Sequence, residues 1–193
     1  LRSTGEDFFE VGAALLSQKV SSKQLNLPRR LYSASYTTDL LAQALMDFTG
    51  GDCALINSGL IVKGFEGRDF SYFDLHTMLP HPINPVKITL SGRELKEIIN
   101  MSMLHDYRDE IIKGFGFRGD IFGMYVWKNI GYIQSQQRYF IGTEEIDNHK
   151  KYYLATLDMY TFGRFFPQFT QNEKRYYMPE FLRDIMETAV KNL

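Results

Sequence analysis

The segment Leu79-Pro80-His81-Pro82-Ile83-Asn84-Pro85 holds three of the chain's six prolines. Each proline fixes its own φ and pushes the residue before it towards extended geometry. The segment is therefore a stiff loop that points His81 and Asn84 in set directions. Val86-Lys87-Ile88-Thr89-Leu90 follows, with the alternation and β-branching of a strand. Ser91 and Glu94 then stand at capping-box spacing. They precede Leu95, Ile98, Ile99 and Met103, the apolar face of a predicted helix. Loop, strand and helix in this order point to a fold that mixes α and β elements.

Elsewhere the periodicity predicts an amphipathic helix over 7–20, with Phe8, Phe9, Val11, Leu15 and Leu16 as its apolar positions. A polar connector covers 21–30 and a short strand 32–36. Thr37 or Thr38 is placed to cap a helix whose face is Leu40, Leu41, Ala44, Leu45 and Phe48, ended by Gly50-Gly51. Residues 53–56 read as a buried strand that ends in the turn Asn57-Ser58-Gly59. A polar loop is expected over 64–69, and Ser71 is placed to cap a short helix through Leu75. Beyond 107 the pattern is weak up to 123 and includes the glycine-rich Gly114-Phe115-Gly116-Phe117-Arg118-Gly119. Strands are expected over 124–127, 132–136, 139–141 and 152–157. An aromatic-dense loop over 158–170 follows, and Pro179 is expected at the first position of a last helix.

With 193 residues, 44% of them hydrophobic, the chain is long enough for one core and is read as a single domain over 1–193. Its net charge of −1 gives no electrostatic case for nucleic acid or an anionic membrane. No apolar run is long enough to span a bilayer as a helix. Lone Cys53 sits in an apolar stretch and reads as an inert core residue that does not fix the compartment. The chain begins at Leu1, so a fragment or a processed form is expected.

Local chemistry is sparse. His76, His81, His105 and His149 show neither a Cys/His ligand spacing nor a His-Glu-x-x-His helix. His105 and His149 read as surface or helix-end residues, and His76 is placed equally well in a core. No Gly-x-Ser-x-Gly elbow is present, and a strand-ending turn accounts for Ser58. Asp106, Arg108, Asp109 and Glu110 read as an exposed polar segment. No Gly-Lys-Ser/Thr follows the glycine-rich loop, so it is not a P-loop. Three loops, 57–62, 80–85 and 158–166, are left to converge at strand ends, without self-sufficient catalytic machinery.

In this order the three loops resemble the C-terminal domain of the 5′-nucleotidase family, which includes UDP-sugar hydrolases and 2′,3′-cyclic-nucleotide phosphodiesterases. The resemblance runs from roughly Arg30 to the C-terminus. Ala54-Leu55-Ile56-Asn57-Ser58-Gly59, after its helix, looks like the family's Asn-Gly-Gly-Gly-Ile-Arg turn. The proline loop looks like the Pro-Phe-Gly-Asn segment. Thr89-Leu90-Ser91-Gly92-Arg93-Glu94-Leu95 resembles the Thr-Gly-x-x-Leu helix start, and Tyr153-Leu154-Ala155-Thr156-Leu157 the strand before the second aromatic loop.

The resemblance implies an α+β fold, a mixed sheet flanked by helices. It implies that catalysis lies in a separate N-terminal metallophosphoesterase domain carrying two divalent metal ions, with no cofactor in this domain. The expected ligand is a nucleotide or related small phosphate ester, its base stacked between two aromatic rings. Family members often work outside the cytoplasm. Carried over, Asn57 matches a ligand-contacting Asn, His81 falls at the first stacking Phe, and Asn84 matches the base-contacting Asn. Met159 falls at the second stacking Phe, with Tyr160 beside it. Gly163-Arg164-Phe165 aligns with Gly-Gly-Asp, so Arg164 stands at the loop and the ribose-contacting Asp is absent. Val62 replaces an Arg, with Lys63 next to it.

Two readings follow. In the first the chain is a substrate-recognition domain that binds through Asn57, His81, Asn84, Met159, Tyr160 and Arg164. Any ligand would then bridge His81 and the Met159/Tyr160 loop. In the second it is a non-catalytic structural or interaction module, and His81 is a loop imidazole bonded to a nearby carbonyl. Either way the chain alone is expected to release no phosphate, even with added divalent metal.

Overall fold

The strand after the proline loop lies inside a five-stranded sheet, and that sheet positions everything else. A computed structural model describes residues 2–104 and 108–193. His105 and Asp106 lie outside the described residues, as do the side chains of Asp7 and Phe8.

The chain enters through α1 (Arg2–Ser17), β1 (Lys19–Ser21), β2 (Leu25–Leu27), α2 (Tyr36–Thr49) and β3 (Cys53–Asn57). Then come β4 (Phe65–Gly67), β5 (Phe70–Ser71), α3 (Tyr72–Met78), β6 (Pro85–Ser91) and α4 (Gly92–Leu104). The second half holds β7 (Tyr125–Lys128), β8 (Ile130–Ile133), β9 (Arg138–Ile141), β10 (Glu144–Glu145) and β11 (Lys151–Leu157). Last are α5 (Gln168–Gln171), β12 (Lys174–Tyr176) and α6 (Leu182–Lys191).

The main sheet runs β12-β6-β11-β3-β7, with β3 and β11 parallel and the other neighbours antiparallel. It is the expected mixed sheet with helices on it. Every residue of β3 is buried, so both of its faces are covered. α2 lies across β3, β7 and β11, α4 packs on β6 and β11, and α6 packs on α2. Leu41, Leu45, Leu55, Ile98, Leu154 and Met186 are fully enclosed between these elements. Burying an aliphatic side chain of this size contributes about 1.5–3 kcal/mol.

Several local expectations shift. The strand expected at 32–36 is absent, because Ser35 is the N-cap of α2. Its hydroxyl accepts from Thr38 N–H at 3.2 Å, while Thr37 instead donates to the Pro28 carbonyl at 2.8 Å. Gly50, at φ +64°, closes that helix as expected. The first helix ends at Ser17, and Val20 is buried in β1, which pairs with β5. The expected polar loop at 64–69 contains β4, paired with β2. Met103 and Phe48 are exposed instead of buried. Pro179 does not open the last helix, since Phe181 is its N-cap and donates its N–H to Asp184 at 2.7 Å. Strands β7 and β8 do not pair with each other. β7 completes the main sheet, and β8 pairs with β9 in a separate three-stranded one. Among the described residues no helix is long and apolar enough to cross a membrane.

Candidate functional site

The parallel pairing of β3 and β11 brings Asn57 and Leu157 to the same edge of the sheet. Pro85, the first residue of β6, pairs with Leu157, and Tyr125, the first of β7, pairs with Asn57. Four loops therefore meet at one edge. They are the turn after Asn57, the proline loop, the segment before β7, and the 3₁₀ turn Asp158–Phe162 after β11. The three loops read from the sequence do converge. The fourth comes from the stretch whose pattern was weak.

Beneath this edge lies a buried polar cluster. Tyr160 donates its hydroxyl to Asn57 Oδ1 at 2.9 Å, and Asn57 Nδ2 donates to the Phe122 carbonyl at 2.8 Å. Tyr160 and Asn57 are fully buried. Burial raises the Tyr160 phenol well above its ordinary range, so it stays protonated and donates. His81 is 1% exposed and held at both nitrogens. Its Nδ1 accepts from Arg118 N–H at 2.8 Å, which leaves Nε2–H to donate to the Leu60 carbonyl at 2.8 Å. Protonation would turn Nδ1 from acceptor into donor and break the first bond. Burial, the main cause, pushes the imidazole down to about 4, against the opposing pull of the Leu60 carbonyl. His81 is thus a neutral, oriented ring, stacked on Phe117 at 5.0 Å and 7°. Met159 is fully buried beside Tyr160.

Asn84 is half-buried. Its N–H donates to Asp158 at 3.2 Å and its side-chain amide to the Glu180 carbonyl at 2.7 Å. Desolvation raises the Asp158 carboxyl above its ordinary value, partly offset by backbone N–H donors. Arg164 is exposed and forms an ion pair with Glu110. Lys63 and His76 are exposed too. Of the six residues singled out from the sequence, then, Asn57, His81, Met159 and Tyr160 are enclosed. Asn84 and Arg164 reach the surface.

The outer layer of the site is a pair of aromatic rings that sequence reasoning did not select. Phe115 and Phe162, 38% and 60% exposed, stack at 5.3 Å and 22°. Phe115 holds a left-handed φ of +52° between Gly114 (φ +89°) and Gly116 (φ +78°). A bulky side chain in that region is a steric outlier, which directs attention to function. A Cβ on Gly116 would come within 2.9 Å of the Pro82 carbonyl, so the glycine loop sits directly on the proline loop. An aromatic residue flanked by glycines was the available signal. The motif fits no phosphate-binding loop, so its spacing alone does not mark it as a site.

This arrangement offers a flat apolar face above an oriented polar floor. Ser58 Oγ already accepts from Met124 N–H at 2.9 Å and donates to the Leu31 carbonyl, which leaves it tied into the turn. Among the described residues no group of three or more His, Cys, Asp or Glu side chains could share a metal ion.

A family model described as 5′-nucleotidase, C-terminal domain, matches residues 17–171. The metallophosphoesterase YunD of Bacillus subtilis is 36% identical over 180 residues, covering 89% of this chain and 39% of that protein. The chain thus spans about two-fifths of the length of this relative. Among solved structures, a 5′-nucleotidase precursor from Thermus thermophilus matches with a TM-score of 0.75 at 14% identity, over 99% of this chain and 40% of that one. An NAD nucleotidase from Haemophilus influenzae matches with a TM-score of 0.66 at 14% identity, over 97% and 37%. The Thermus thermophilus sulfate thiohydrolase SoxB matches with 0.62 at 12%, over 97% and 35%. At these identities the structural likeness speaks for the fold alone.

Proposed function

The chain belongs to the 5′-nucleotidase C-terminal domain family, and from that premise we propose that it is the nucleotide-recognition domain of a two-domain metallophosphoesterase. One observation carries the reading. Two exposed, nearly parallel phenyl rings, Phe115 and Phe162, face each other from separate loops at the ligand edge of the sheet. A base inserted between them makes two stacked contacts of about 3.5 Å, so the rings must stand about 7 Å apart. From 5.3 Å they need to part by about 2 Å. Asn84 and Arg164 supply polar groups at the rim. Asn57, His81, Met159 and Tyr160 act mainly by holding the floor rigid.

In this reading the chemistry belongs to a metallophosphoesterase domain N-terminal to the chain, whose metal pair would supply an activated water for the phosphate ester. The contribution of this chain is binding energy and orientation. Gripping the nucleoside end limits the positions open to the phosphate end. Tested alone, the chain releases no phosphate from a nucleotide with or without divalent metal.

A second reading, a structural or interaction module that no longer binds nucleotide, has its own supporting observation. The polar atoms of Asn57, His81 and Tyr160 are engaged with the protein itself. The two readings separate in one experiment, a titration with nucleosides and nucleotides followed through the ring protons of Phe115 and Phe162. Saturable shifts at both rings with at least one purine or pyrimidine nucleoside are expected. A full panel that moves neither ring would overturn the recognition reading in favour of the module.

A further inference from the structure

The two loops that carry the stacked rings are joined a second time. Arg164 lies two residues beyond Phe162, and Glu110 lies five residues before Phe115. Their side chains form an ion pair between the same two segments. Both segments also touch Phe122. Glu110 accepts from Phe122 N–H at 3.0 Å through its carbonyl, and Phe165, next to Arg164, stacks on Phe122 at 5.5 Å and 23°. Ring contact and ion pair therefore join the same two segments, 110–115 and 162–164, in parallel. Parting the two segments by about 2 Å for a base draws the two charges apart as well.

We propose that the Glu110–Arg164 ion pair is a latch that holds the aromatic clamp shut in the free protein and releases Arg164 when a base enters. The proposal rests on the reading of Phe115 and Phe162 as the base-stacking pair. It assigns Glu110 a role no part of the family resemblance gave it. Glu110 is a positioning residue that opposes binding, because its charge stabilises the state with no room for ligand. A contact made only in the closed state lowers apparent affinity by the factor it adds to the closed population. The pair is part-exposed, with side chains 41% and 32% accessible. The expected factor is therefore modest, about two- to five-fold.

The test compares wild type with Glu110→Gln, using adenosine as the probe. Adenosine is uncharged, so salt dependence specific to this pair arises within the protein. Wild-type affinity should rise about two- to five-fold as salt goes from about 0.1 M to about 1 M, which shortens the screening length from ~10 Å to ~3 Å. E110Q should bind about two- to five-fold tighter than wild type at low salt and lose the difference at high salt. Equal or weaker adenosine binding by E110Q, with binding otherwise intact, would overturn the latch and leave the clamp standing. If neither protein binds adenosine, ligand-free spectra decide. Ring protons of Phe115 and Phe162 should move downfield in E110Q as mutual ring-current shielding is lost. Unchanged shifts there would also overturn the latch.

Discussion

His81 stacks on Phe117 at 5.0 Å and 7°, and two residues earlier in the same loop Phe115 stacks on Phe162 at 5.3 Å and 22°. The geometries are close and the surroundings are opposite. The first pair is enclosed, and its imidazole is fixed by backbone groups at both nitrogens. The second is open to solvent and bridged by ring contact and a part-exposed ion pair. A stacked pair with every polar atom satisfied inside the protein serves as scaffold. A stacked pair held by weak, exposed contacts keeps a face that a third ring can take. Burial, more than residue type, separates the two roles.

The comparison is tested hardest at the floor. Tyr160→Ala empties a fully buried site and strands Asn57 Oδ1, so unfolding stability should fall by about 3–5 kcal/mol. A loss below about 1 kcal/mol by urea unfolding would break the claim that the enclosed side is scaffold.

pH sharpens the same contrast through His81. Its folded value, about 4, lies below its ordinary 6.5, so the unfolded chain takes up the proton first as pH falls. The stabilisation is complete above about 6.5 and is lost as pH falls towards 4. The total is on the order of 3 kcal/mol. Denaturation midpoints across this window should fall steeply for wild type and less steeply for His81→Gln. Equal slopes would show that the imidazole is not held neutral.

The smallest stability effect is expected at the open pair. Phe162→Ala should change unfolding stability by no more than about 0.5 kcal/mol, because the ring is 60% exposed. Yet it should weaken nucleoside binding by about tenfold, the worth of one stacked base. A destabilisation as large as that of Tyr160→Ala would dissolve the distinction between the two pairs.

The order of elements around the proline loop was legible because each depended on near neighbours in sequence. Ser91 and Glu94 make their capping box, Gly50 closes α2, and β3 and β11 end at Asn57 and Leu157, within a residue of expectation. The site was legible only in part. Met159 and Tyr160 sit in the expected loop, but no periodicity reports that a 3₁₀ turn buries both. Phe115 was hidden for a similar reason. Residues 107–123 have neither a helical nor a strand period, and their contacts lie far away in sequence, Arg118 with His81 and Phe115 with Phe162.

A mixed α and β domain, its principal helices and strands, and the stiff proline loop at the heart of it are legible in the residues alone. These follow from φ restriction, capping and periodicity, which act over a few residues. Which aromatic rings face solvent is set by contacts between segments far apart in the chain. That choice rests on the parallel pairing of β3 with β11 and on the glycine loop seated against Pro82. Those contacts turn His81 inward to two backbone partners and leave Phe115 and Phe162 facing each other at the surface.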